Sequence, residues 1–85
     1  MRTYDEPIHV LFADEPRQFI WRDRLLLIKQ IHGRWNRATA WWAEGRADGE
    51  REVWRVEAGN GTHRGVYELA RTVDAEDWVL QAVLD

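Results

Sequence analysis

Short apolar runs recur along the chain, separated by Gly, Pro and Asp clusters, which is the pattern of several short strands. Ile8 to Phe12 is the first, with Ile8, Val10 and Phe12 alternating against His9 and Leu11. Asp14-Glu15-Pro16 is expected to end it, since Pro cannot donate to a sheet ladder and Asp favours turns. Gln18 to Trp21 is the second run, and Arg22-Asp23 leaves a two-residue gap suited to a tight hairpin before Leu25 to Ile31. Leu25-Leu26-Leu27-Ile28 has no single apolar face, which predicts a central strand covered on both sides. Gly33 is expected to break it.

Arg34 to Ala43 satisfies two periods. As a helix it puts Trp35, Thr39 and Trp42 at i, i+4 and i+7, with Gly45 placed to terminate it. As a strand it alternates Trp35, Arg37, Thr39 and Trp41 against Asn36, Ala38, Ala40 and Trp42. No capping residue precedes Trp35, which favours the strand. Further on, Glu50 to Ala58 alternates again, and the Asn60-Gly61 turn signal sits in a connection to Gly65 longer than a minimal hairpin. Val66 to Leu69 and Asp77 to Leu84 are the last runs. Seven runs predict a single all-β domain over residues 1–85, an antiparallel meander closing into a small barrel or rolled sheet. The alternative is an α+β fold with one short helix near residues 34–44.

Composition narrows the class. Of 85 residues 45% are hydrophobic, enough to exclude disorder, and the absence of Cys excludes a disulfide framework and thiolate zinc sites. The six Trp can each bury about 150–250 Å², a large share of so small a core, provided each buried indole N–H finds an acceptor. At least one Trp is expected to stay partly exposed, on a stable monomer. Leu25 to Ile28, the longest aliphatic run, falls far short of a membrane span of roughly 20 residues. The first residues carry no apolar leader segment, so the expectation is a cytoplasmic, non-membrane protein.

Charge is uneven. Residues 17–37 hold Arg17, Arg22, Arg24, Lys29, Arg34 and Arg37 against Asp23 alone, a local +5 in a chain whose net charge is −3. With Trp21 and Trp35 interleaved, Arg17, Arg22, Arg24 and Arg34 become candidates for phosphate contact and base stacking. The plainer reading is that these cations are solvated strand edges, where charge discourages aggregation.

Residues for chemistry are scarce. Ser and Cys are absent, the four Thr stand in no nucleophile motif, and His9, His32 and His63 lie in separate segments without metal-ligand spacing. The carboxylate pairs Asp5-Glu6, Asp14-Glu15 and Glu76-Asp77 sit in turn-like contexts. No catalytic residue, cofactor or metal is therefore expected, and the chain is read as a non-enzyme. Trp41-Trp42 is the most unusual feature. On a strand one indole enters the core and the other faces outward, where it can anchor a protein contact beside Arg37 and Arg55.

Gly33, Trp35, Trp41-Trp42, Val53-Trp54-Arg55-Val56-Glu57, Val66-Tyr67-Glu68-Leu69 and Trp78-Val79-Leu80 through Asp85 form an ordered pattern. It resembles a small Trp-rich family of uncharacterised actinobacterial proteins. Over residues 33–85 it also resembles the C-terminal tail of inactive Y-family-polymerase-like proteins of the bacterial mutasome, although Ala38-Thr39-Ala40 stands where that tail carries small Ser-Gly residues. The resemblance implies an accessory interaction module near DNA damage tolerance and carries over no catalytic residue. The expected function is thus binding of a protein partner through Trp41, Trp42, Arg37 and Arg55. Weak single-stranded nucleic-acid binding by the basic hairpin is the alternative, and a small enzyme the remotest one.

Overall fold

Alternating side chains roll the chain into a ring of strands. The computed structural model describes residues 2–38, 50–61, 63–72 and 77–84. Its strands are β1 (Arg2–Ala13), β2 (Glu15–Trp21), β3 (Arg24–Ala38), β4 (Glu50–Asn60), β5 (His63–Thr72) and β6 (Trp78–Leu84). Each pairs antiparallel with its neighbour in the chain, and β6 pairs back onto β1, so the six strands form a closed barrel. The all-β meander expected from the sequence is what forms. There is no helix among the described residues. Arg34 to Ala38 is strand, and the rest of the ambiguous stretch, with Trp41 and Trp42, lies outside the described residues.

Two turns follow directly from residue type and backbone geometry. Arg22 and Asp23 both have positive φ, 52° and 62°, which is the two-residue hairpin geometry whose twist matches the flanking strands. Asp14 (φ 67°) alone separates the paired residues Ala13 and Glu15. Asp can adopt this left-handed conformation because its short polar side chain bonds locally.

Several expectations need correction. β1 does end at Asp14-Glu15-Pro16, but at Asp14 alone, and Pro16 lies fully buried within β2, opposite Phe12 beside a register shift that absorbs its missing N–H. Gly33 does not break β3. It follows one of two register shifts, between Ile28 and Gln30 and between Ile31 and Gly33, so two expected runs fuse into one 15-residue strand. The β4–β5 connection is tight, with Asn60 paired to His63 and Gly61 at φ 61° beside it. β1 also starts earlier than its apolar run, because the polar residues from Arg2 to Pro7 pair with β6. Finally, Leu25-Leu26-Leu27-Ile28 is covered on one face only. Leu26 points into the barrel, and Leu25 and Leu27, on the alternate face, point out.

The interior is filled by Phe19, Leu26, Val56, Ala58, Leu69 and Leu80, with an aromatic cluster toward each end. At the end holding the 22–23 turn, Trp21 meets Tyr4 and Tyr67 edge-on, at ring-centroid distances of 5.5 and 6.2 Å. At the opposite end Phe12 lies 6.0 Å from both Trp54 and Trp78. Three of these four pairs are edge-to-face, an arrangement that adds about 0.5–1.5 kcal/mol each beyond burial, and Phe12–Trp78 is tilted.

Candidate interaction surface

Each aromatic end is closed by a carboxylate and arginine. Glu6 accepts the Trp21 indole N–H at 3.2 Å and a two-point contact from Arg22, whose shorter arm is 2.7 Å. The Arg22 guanidinium also lies 4.8 Å from the Trp21 ring. The hydrogen bond from Arg22 holds the Glu6 carboxyl below its usual range. Glu52, buried at the other end, accepts the Trp54 indole N–H at 2.8 Å, Arg34 at 2.8 Å and Arg71 at 3.0 Å. Burial raises the Glu52 pKa, but the bonds from Arg34 and Trp54 and the charge of Arg71 outweigh it, and the net shift is downward. A third carboxylate, Glu68, is also buried and holds Arg55 at 2.6 Å and Gln81 at 2.9 Å.

These pairings dissolve the basic patch expected from residues 17–37. Arg22 is neutralised by Glu6, and Arg34 shares the single Glu52 carboxylate with Arg71, both carboxylates being distant in sequence. Arg34 and Trp35 are adjacent in β3 and therefore face opposite sides: Arg34 lies over Trp54, and Trp35 lies under Arg55 at 5.4 Å. Arg17 donates to the Ala13 carbonyl at 3.3 Å, and Arg24 and Arg37 stand exposed without a carboxylate among the described residues. Of the expected protein contact, Arg55 meets Trp35 but is held by Glu68, Arg37 lies next to last in β3, and Trp41 and Trp42 fall outside the described residues. Trp35, 37% exposed, and the half-buried Trp21 are the partly exposed indoles among the described residues.

A different surface emerges on the outside of β1, β2 and β3. His9, Ile20 and Leu25 form one cross-strand row, and Leu11, Gln18 and Leu27 form the next row on the same outer face. Leu11 is 57% exposed, Leu25 45%, and Ile20 and Leu27 42% each. The row between them, Val10, Phe19 and Leu26, points inward, and a shallow depression of about 230 Å³ lies over the β1–β2 part of the face. Arg17, Arg24 and Lys29 flank these positions along β2 and β3. Scattered single aliphatics are ordinary on a protein surface, but four on adjoining positions make a patch. The signal in the sequence was the four-residue aliphatic run, whose alternate residues must face opposite sides of a strand.

Among the described residues there is no cluster of three or more His, Asp or Glu able to hold a metal, and no helix long and apolar enough to cross a membrane. A family model described as a domain of unknown function, DUF6504, matches residues 1–85. The chain belongs to this family. Comparison of this DUF6504 chain with curated proteins and with solved structures finds no match.

Proposed function

We propose that this domain is a non-enzymatic protein-interaction module, and that its contact face is the outward grid of Leu11, Ile20, Leu25 and Leu27. The observation that carries the reading is their arrangement on adjoining positions of three strands, each more than 40% exposed. Such faces mark binding sites more often than solvent-facing sheet. The flanking Arg17, Arg24 and Lys29 specify the partner's chemistry: an apolar surface rimmed by carboxylates. A second copy fits poorly, because it would bring these cations against their own equivalents. The resemblance to mutasome tails would place that partner in a damage-tolerance assembly, an attribution that rests on the sequence pattern alone.

Nucleic-acid binding has less support. Arg22 is neutralised by Glu6, and the Trp21 ring already carries that same arginine. The test is a charge-neutral double variant, Leu25→Gln with Leu27→Gln, compared with wild type by cross-linking and mass spectrometry of captured proteins. The expected result is loss of one specific partner at an unchanged melting temperature. Capture by the variant equal to wild type overturns the choice of face, and capture of oligonucleotide in its place restores the alternative.

A further inference from the structure

The β2–β3 seam is short. Gln18 opposite Leu27 is its last pair, yet β3 runs on for eleven residues to Ala38. β2 leaves because the register shift at Leu11/Phe12 inserts Arg17 as an extra residue, and because Pro16, buried beneath the β1–β2 hairpin, has no N–H to offer. Beyond Leu27, β3 therefore has β4 on one side and no described strand on the other. Burial records the asymmetry: Lys29, Gln30, His32, Arg34, Trp35, Asn36 and Arg37 are all exposed, whereas Glu52, Val53, Trp54 and Val56 across the ladder are buried.

Exposed edges are usually guarded by charge and by bulges. Here both register shifts fall between Ile28 and Gly33. From Gly33 to Ala38 the pairing with β4 is unbroken, which leaves a regular, extended edge of the kind that templates another strand. The side chains along it define what fits. Arg37, on the same outer face as Trp35, has no carboxylate partner among the described residues, and Arg34, on the opposite face, keeps 55% of its side chain exposed while it holds Glu52. A second copy added antiparallel about Trp35 and Asn36 sets Arg34 against Arg37, and like charges directly opposite destabilise a sheet.

We propose that the Gly33–Ala38 edge of β3 receives an extended acidic segment of a partner protein as an added strand. Its carboxylates stand three residues apart, one toward Arg34 and one toward Arg37, with an apolar residue against Trp35. The inference rests on the reading of the domain as a protein-binding module, and it uses a surface separate from the Leu25/Leu27 face. Backbone bonds supply the adhesion, and the two arginines supply the choice of partner.

The experiment is an amide NMR titration and hydrogen-exchange measurement on the full chain with a terminally blocked Glu-Val-Thr-Glu-Val-Thr peptide. Two control peptides carry Lys for Glu or N-methyl groups at alternate residues. The expected result is new amide protection confined to residues 33–38, binding about tenfold weaker for the Arg37→Glu variant, and no binding of either control. Equal binding of the N-methylated peptide, or shifts centred on Arg17, Arg24 and Lys29, overturns strand addition, as does the absence of any shift. The Leu25→Gln/Leu27→Gln variant is expected to bind the peptide as wild type does, so the edge and the outer face fail or succeed independently.

Discussion

Glu52 and Trp54 lie two residues apart on one face of β4, and the Glu52 carboxylate accepts the Trp54 indole N–H at 2.8 Å inside the end of the barrel. A buried indole and a buried carboxylate each carry a desolvation cost, and each removes part of the other's. Arg34 and Arg71 complete the set, and both lie over aromatic rings, Trp54 at 5.3 Å and Trp78 at 5.0 Å.

Glu52→Gln keeps an acceptor for Trp54 but leaves two guanidinium groups without a counter-charge. Breaking a fully buried pair costs about 3–5 kcal/mol, and the half-exposed Arg34 lowers the expected figure to about 2 kcal/mol. The melting temperature should fall by about 10 °C on thermal denaturation followed by circular dichroism. Glu6→Gln, at an open carboxylate, should shift it much less.

Acid stability should depend on the same residue. The Glu52 carboxyl titrates below its ordinary value of 4.5 in the folded protein, so its contribution is complete above that value and is lost as pH falls through the folded pKa. Stability measured by urea unfolding should decline below about pH 4.5. In Glu52→Gln that acid limb should be shallower.

Gly59 is required by a close approach. A Cβ there would collide with the backbone carbonyl of His63 across the β4–β5 pair, while at Gly33 the nearest atom would be on the Trp35 ring at 3.8 Å. Gly59→Ala should cost about 1–3 kcal/mol, and Gly33→Ala should be near neutral. Paired chemical denaturation curves of the two variants decide it.

At the 22–23 turn, Asp23 sits at a φ that glycine adopts without strain. Asp23→Gly should stabilise the domain by a few tenths to about 1 kcal/mol, since relief of the left-handed conformation exceeds the added freedom of the unfolded chain. Arg22 should be kept, because it carries the contact to Glu6. A rise in melting temperature is the expected readout.

What could be read from the sequence was local. Arg22-Asp23 announced its hairpin because a two-residue gap between apolar runs has few solutions, and β6 announced itself as a short apolar run after a polar stretch. The run Leu25–Ile28 misled because burial on two faces needs a second layer, a property of the whole chain and not of the run. Pro16 and the polar start of β1 misled because a partner strand, not their own side chains, keeps them extended. The basic hairpin failed for a similar reason: Glu6 lies 16 residues from Arg22, and Glu52 lies 18 from Arg34, so net charge over a window could not show that either cation was matched.

The strand order also sets an order of assembly. Five of the six seams join strands consecutive in the chain, four of them across short connections, whereas the sixth joins the first strand to the last. Hairpins can therefore form early and independently, and the ring is completed only when residues near Arg2 meet those near Val83. Trimming even a few residues from either end removes part of the one seam that converts a curled sheet into a closed one.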